Sequence, residues 1–368
     1  MARAIPPLTS LRFFAALWVA LYDYWAELGA RTPGFITKGH LGVELFFVLS
    51  GFILCHVYLP AFGEKRFSYR DFLWARVARI YPVHLATLLG IGVLAAGAAV
   101  AGFRDGGGVL IWRSLPAQLT LTQAWGLGAA GGWNHPSWSI SAEWFAYLAF
   151  PAFAFAAWKL RGRPRLAVAL ALGFAALFEW TFGAFAGFPL TEATVAWGAL
   201  RIVPCFALGC AVWIAWSAAP PKSPLAAAGA LFLALAALPV LFDLHAPDWS
   251  AIAPFGLLIF ALAAFSSSGS RFLSSRPLIL LGEASYSLYM VCIPWELVST
   301  RLVGRIAPQM LGRLPLALWL AQIAGLIVVA IAVHLAIERP AREALRRHGV
   351  PFLRRSAARA PAAVPVGG

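Results

Sequence analysis

Long apolar stretches, separated by short polar segments, recur along the whole chain. A helix needs about 20 mostly apolar residues to cross a bilayer. Within the stretches, apolar and polar residues do not alternate as the strands of a membrane β-barrel require. The predicted spans are residues 9–28, 41–60, 72–100, 137–158, 165–186, 198–216, 223–243, 250–267, 278–298 and 315–337. The pattern predicts an all-α, polytopic membrane helical bundle of about ten transmembrane helices.

The composition supports a membrane protein. Of the 368 residues, 61% are hydrophobic and 12% are charged, whereas a soluble domain carries about 25% charged residues. A disordered chain is excluded because such chains lack apolar residues. The net charge of +14 does not predict a nucleic-acid partner, because the basic residues lie between the apolar stretches rather than in one patch.

The basic residues predict the orientation of the chain. With the N-terminus in the cytoplasm, 21 of the 29 lysines and arginines fall on the inner side and 8 on the outer side, as the positive-inside rule requires. We therefore expect both termini in the cytoplasm. We divide the chain into a transmembrane domain, 1–340, and a basic tail, 341–368, predicted to be disordered. A long outer connection, about 101–136, is predicted to cap a cavity.

Ionisable residues within a membrane are costly and are therefore candidates for function. Arg12 and Asp23 of the first span are eleven positions apart. At 100° per residue they lie on one helix face, about 16 Å apart along the axis. The pair predicts a polar cavity, or separate ion pairs with neighbouring helices. The four cysteines have no metal-ligand spacing and are predicted to be buried apolar residues, without a metal site.

Arg76 and Arg79 lie at positions i and i+3 near the cytoplasmic end of the third span. Two guanidinium groups at this spacing can bind an anionic, phosphate-bearing ligand from the cytoplasm. Alternatively, they anchor the helix at the membrane surface. For Arg79, which lies deeper, ligand binding is the favoured hypothesis.

Six sequence blocks, in this order and spacing, resemble those of the acyltransferase-3 family of integral membrane acyltransferases. They are LTSLRFFAALWVALYDYW, GHLGVELFFVLSGFIL, RVARIYPVH, NHPSWSISAEWFAYLAFP, LGEASYSLYMVCIP and IERPAR. The resemblance implies ten spans and transfer of an acyl group, often acetyl, from cytoplasmic acyl-CoA. The acceptor it implies is a hydroxyl of an extracytoplasmic glycan, a lipid-linked saccharide or another cell-envelope molecule. It also implies a multi-pass protein among the lipids of the inner (plasma) membrane.

The resemblance assigns residues to catalysis. The family has an arginine and a histidine in the first span, and the histidine is thought to be the catalytic base. The arginine matches Arg12, whereas the histidine position holds Asp23. Glu143 matches the acid of the Trp-Ser-x-Ser-x-Glu block, although an acid at this position can also bridge helices. A carboxylate can serve as a general base, and we therefore predict Asp23, Arg12 and Glu143 as catalytic.

The resemblance also assigns residues to the acyl-CoA donor. Arg76 and Arg79 match an Arg-x-x-Arg pair that is thought to hold the CoA phosphates. Ser50, in the second-span block, occupies a family position, although a small residue there also permits close helix packing. Tyr81, two positions after Arg79, completes the predicted donor-binding set.

Four alternatives remain open at the level of the sequence. Similar chains often have histidine where this one has Cys292, so a catalytically impaired homologue that binds acyl-CoA without turnover is one. A transporter that uses the intramembrane charges is another, although no inverted repeat is evident. His135, near the outer mouth, is a substitute candidate for the base. Cys292 as a nucleophile competes with simple core packing, which is favoured.

Overall fold

The computed structural model describes residues 4–100, 110–126, 131–220, 223–268 and 272–348, which contain no β-strand. The α-helices are α1 Pro6–Tyr24, α2 Gly34–Thr37, α3 Gly42–Gly63, α4 Tyr69–Val100, α5 Leu115–Thr120, α6 Ser137–Leu148, α7 Phe150–Leu160, α8 Pro164–Ala186, α9 Gly198–Ala218, α10 Pro224–Asp243, α11 Ile252–Ser268, α12 Arg276–Ile306, α13 Leu316–Val333 and α14 Arg339–His348. Short 3₁₀ helices cover Trp25–Leu28, Gly39–Leu41, Trp112–Ser114, Leu190–Glu192, Asp248–Ala251 and Pro308–Met310, and a π-helix covers His334–Glu338. The predicted all-α membrane fold is confirmed.

Each of the ten predicted spans contains a helix, but the fourth is broken. Its two halves, α6 and α7, meet at a bend of 59°. Pro151 lies in the first turn of α7, where it supplies no amide hydrogen to continue α6 and therefore ends that helix. Within the described ranges, eight helices are long and apolar enough to cross a membrane, and the bent pair makes a ninth.

The opening helix α1 accounts for the difference between the nine spans found in the described residues and the ten spans predicted from the sequence. It lies at the first predicted span but is not among the helices that are apolar enough to cross a membrane. Its sequence contains Arg12 and Asp23 as well as serine, threonine and two prolines, all of which lower its mean hydropathy. Most of its remaining residues are buried among other helices, so protein rather than lipid surrounds much of α1.

Two predictions about connecting segments concern residues that the structure describes only in part. The tail predicted to be disordered begins as a helix, because α14 extends from Arg339 to His348. α14 contacts α4 through a hydrogen bond in which the indole Nε1–H of Trp74 donates to the Leu345 carbonyl at 3.0 Å. This contact explains why residues 341–348 are ordered. Residues 349–368 of the tail, and 101–109 and 127–130 of the predicted outer cap, lie outside the described residues.

Glycines permit two close helix contacts that fix the centre of the bundle. A Cβ atom at Gly209 of α9 would overlap the Val48 carbonyl oxygen of α3, and one at Gly51 would overlap the Phe206 carbonyl. Similarly, a Cβ atom at Gly282 of α12 would overlap the Thr9 carbonyl of α1. Small residues allow such approach in membrane helices. The contacts hold α3 against α9 and α12 against α1.

Candidate active site

A cavity of about 130 Å³ lies among α1, α3, α4, α6 and α12, and we call it the arginine cavity. Arg12, Arg76 and Arg79 all line it, together with Ser50 and Glu143. Arg12 makes no hydrogen bond or ion pair with another described residue. The structure thus brings together five of the seven predicted site residues.

Aromatic rings hold Arg76 in place. Its guanidinium group lies 5.6 Å from the centre of the Tyr58 ring and 5.7 Å from that of Tyr147, and its Nη2 donates to the Tyr58 hydroxyl at 3.2 Å. Cations are attracted to the faces of such rings. The buried Nε of Arg76 has no partner among the described residues, so a donor remains for a ligand.

Arg79 is held by a carboxylate that the sequence analysis did not include. Its Nη1 donates to Oε1 of Glu338, whose side chain is 1% exposed, and its guanidinium lies 5.7 Å from the centre of the Tyr286 ring. Its second terminal nitrogen, Nη2, is buried and has no partner among the described residues. Arg79 is thus fixed on one side and keeps an unused donor.

The Glu338 carboxylate is itself fixed by two further groups. Its Oε2 accepts a hydrogen bond from Ser287 Oγ at 2.7 Å and lies 3.0 Å from His334 Nδ1. The π-helix that joins α13 to α14 begins at His334 and ends at Glu338. Such π-helical turns often occur at functional sites. Here the turn carries Glu338 to the side of α4 that bears Arg79.

Glu143 lies in the arginine cavity, where two hydroxyl groups donate to its Oε1. Ser50 Oγ does so at 3.0 Å, and Tyr147, one helical turn later on α6, is the other donor. The Ser50 hydroxyl is therefore engaged in a hydrogen bond to Glu143. The contact also links α3 to α6, as expected of an acid that bridges helices.

A second cavity, of about 420 Å³, lies at the predicted outer side, and we call it the outer cavity. It is lined by Asp23, His135, Arg201, Asp248 and Tyr289, among others. Two of its charged residues have partners: Asp248 accepts from Lys38 Nζ at 2.6 Å and from His40 Nε2 at 2.9 Å, and Arg201 donates to Glu44.

Asp23 differs from these paired residues. It forms no hydrogen bond or ion pair with another described residue, and the charged group that acts on it most strongly is the Glu296 carboxylate of α12. Arg12 and Asp23 were predicted on one face of one helix. The structure places them at two different cavities, so the predicted catalytic group is divided: Arg12 and Glu143 line the arginine cavity, and Asp23 lines the outer cavity.

The other two candidates for chemistry differ in accessibility. His135 lines the outer cavity, and desolvation by burial lowers the pKa of its imidazole, which favours the neutral form of the ring. Cys292 is 1% exposed, and its thiol donates to the Leu288 carbonyl. All four cysteines are buried, as predicted.

Comparison with known proteins identifies the family. The family model described as an acyltransferase domain, that of acyltransferase-3, matches residues 7–339. The chain belongs to the acyltransferase-3 family. It is similar to the acyltransferase MdmB of Streptomyces mycarofaciens, with 31% identity over 93% of both chains.

Two further proteins are similar over shorter segments. YrhL of Bacillus subtilis, provisionally named a peptidoglycan O-acetyltransferase, is 38% identical over 22% of this chain and 12% of its own length. Protein 2 in the picA locus of Rhizobium radiobacter is 36% identical over 22% of this chain and 40% of its own. No solved structure matches.

Tyr81 is the predicted donor-binding residue that this acyltransferase does not bring to the site. It lines neither cavity, and its hydroxyl donates to the Leu119 carbonyl at 3.1 Å. Two helical positions correspond to a turn of about 200°, so Tyr81 lies on the face of α4 opposite Arg79. Its placement in the donor-binding set stays a prediction.

The sequence analysis also missed several residues of the acyltransferase's site. These are Glu338, His334, Ser287, Tyr286 and Tyr289, from α12 and the π-helix. The available signals were that Tyr286, Ser287 and Tyr289 lie in the LGEASYSLYMVCIP block and that Glu338 lies in the IERPAR block. Glu338 is also an acid next to an apolar stretch, which is itself unusual.

We expect Glu338→Gln to weaken both folding and donor binding. The substitution removes the charge that faces the buried Arg79, which costs about 1–3 kcal/mol and frees the guanidinium to move. Thermal unfolding in detergent and the acetyl-CoA dissociation constant are the measurements. Glu343→Gln is the matched control, because that carboxylate is 48% exposed and pairs only with surface arginines, a contact worth about 0–1 kcal/mol. Equal effects of the two variants would contradict the role of Glu338 in holding Arg79.

Proposed function

We propose that the protein transfers an acyl group, such as acetyl, from cytoplasmic acyl-CoA to a hydroxyl of a glycan or other cell-envelope acceptor in the plasma membrane. The observation that carries the proposal is the pair of cavities. One is lined by three arginines, and the other by the Asp23 carboxylate, which has no partner among the described residues. The similarity to proteins named as acyltransferases supports the class of reaction.

The arginine cavity has the chemistry that a CoA donor requires. Arg76 and Arg79 each retain a buried nitrogen without a partner, and buried donors of this kind are costly unless a ligand binds them. Guanidinium groups match phosphate oxygens in geometry and charge. We place the CoA phosphates at these two arginines, which lie near the predicted cytoplasmic side.

The outer cavity supplies the group that activates the acceptor. The Asp23 carboxylate has free oxygens and lines a cavity large enough for a sugar hydroxyl to approach. In the proposed step, the hydroxyl oxygen bonds to the thioester carbon, Asp23 takes its proton, and the carbon–sulfur bond breaks. The thiolate then takes up the proton, so the products are an ester and free CoA.

Inside-out membrane vesicles that contain the full chain would test this function. Radiolabelled acetyl-CoA added to the exposed cytoplasmic face should label the glycan, peptidoglycan or lipid fraction, and an equal amount of CoA thiol should appear. Bound acetyl-CoA without thiol release would contradict transfer and favour an impaired homologue. Release of solute from loaded vesicles without acetyl-CoA would favour the transporter.

In the same vesicles, Arg76→Gln should raise the KM for acetyl-CoA about tenfold or more, because a hydrogen bond to a charged group contributes about 1.5–3 kcal/mol. Arg161→Gln provides a control, since Arg161 lines neither cavity and its guanidinium lies over the Trp158 ring. The comparison separates a phosphate contact from the general attraction of a basic membrane face. Similar KM values for the two variants would count against Arg76 as a phosphate ligand.

A further inference from the structure

Two residues line both cavities: Val43 of α3 and Tyr289 of α12. They are 5% and 8% exposed, so they form a thin wall, which we call the partition. If the donor enters from the arginine cavity and the acceptor from the outer cavity, the two reactants meet at the partition. That donor and acceptor meet at this place rests on the proposed function.

Of the two partition residues, only Tyr289 carries a polar group on its side chain. Tyr289 lines the arginine cavity together with Ser139 of α6. The Ser139 hydroxyl already donates to the Pro136 carbonyl at 3.1 Å. The Ser139 proton is therefore engaged, and the Tyr289 hydroxyl is the donor that a ligand at the partition can use.

We propose that the partition holds the thioester carbonyl of the donor and that Tyr289 is a catalytic residue that donates a hydrogen bond to the carbonyl oxygen. The oxygen becomes negatively charged when the acceptor hydroxyl bonds to the carbon. The Tyr289 hydroxyl donates to this oxygen and stabilises it until the carbon–sulfur bond breaks. A positioned donor at such an oxygen lowers the barrier more than it aids ground-state binding.

Tyr289→Phe tests the proposal, because it removes one oxygen atom and keeps the ring. Initial rates of label transfer from radiolabelled acetyl-CoA, measured in the vesicles described above, should show kcat lower by about 10²-fold. The KM for acetyl-CoA should change less than about twofold, since the arginines remain. Tyr69→Phe is the matched control: the Tyr69 hydroxyl donates to the Leu148 carbonyl, and the residue lines neither cavity.

Val43→Phe tests the partition independently. The larger ring should block the approach of the two reactants, so that transfer is lost while acetyl-CoA still binds with unchanged affinity. Full transfer by either Tyr289→Phe or Val43→Phe would overturn the partition as the place of reaction and leave the proposed function intact. If the unaltered chain itself transfers no label, the proposed function and the partition fall together.

Discussion

Replacing Asp23 with asparagine should lower the rate of acyl transfer by about 10²–10⁴-fold, the usual contribution of a general base. Asparagine has the same shape but cannot take a proton from the acceptor hydroxyl. Acetyl-CoA binding should be unchanged, because Asp23 lines the outer cavity and not the arginine cavity. The rate of label transfer and the affinity for acetyl-CoA, measured on the same membranes, test the two expectations.

Two companion variants separate Asp23 from other bases. His135→Gln should keep most of the activity, although the neutral His135 ring lines the same cavity. If His135→Gln is inactive and Asp23→Asn is active, the base is His135. Asp23→His places an imidazole where the resemblance to the family implies one. Turnover by this variant but not by the unaltered chain would identify the protein as an impaired homologue.

The fold was largely predictable because hydrophobic length determines it. A stretch of about 20 apolar residues cannot satisfy its backbone in lipid except as a helix, so all ten stretches contain helices. The bend between α6 and α7 was harder to predict from the sequence, because a helix that contains a proline such as Pro151 can either continue with a kink or end there. Residues 341–348 were predicted to be disordered, but they form a helix because they contact Trp74 of α4. The sequence does not show this contact.

The site was predictable where its residues are neighbours on one helix. Arg76 and Arg79 lie at i and i+3, and both line the arginine cavity. Glu338 was missed because its contact with Arg79 spans 259 positions in the sequence, and nothing local in the chain predicts such a contact. Tyr81 is the contrasting case: it is close to Arg79 in sequence, but a separation of two helical positions places it on the opposite face of α4.

The division of α1 between two cavities was equally beyond the sequence. Helical spacing places Arg12 and Asp23 on one face, but it does not show what lies between them. In the structure, the neighbouring helices α3 and α12 supply Val43 and Tyr289 at that point. One polar face therefore serves two compartments, which is the arrangement that a reaction between a cytoplasmic donor and an outer acceptor requires.

We expect Arg201→Met to have the largest effect on stability. Arg201 and Glu44 form an ion pair in which their side chains are 4% and 1% exposed, and Glu44 would lose the only charged partner that the described residues give it. Removing one partner of a buried pair costs about 3–5 kcal/mol, because the remaining charge stays buried without compensation. Thermal unfolding of the purified protein in lipid nanodiscs should show a large decrease in midpoint.

A double variant identifies the cause of that decrease. Glu44→Leu combined with Arg201→Met removes both charges, so it should recover much of the lost stability, since paired apolar side chains often replace a buried ion pair without cost. Arg66→Met is the surface control: its partner Glu64 is 54% exposed, and such a pair contributes about 0–1 kcal/mol. If the double variant is no more stable than Arg201→Met, then lost packing against the Trp138 ring, 4.9 Å from the Arg201 guanidinium, and not the isolated charge of Glu44, causes the instability.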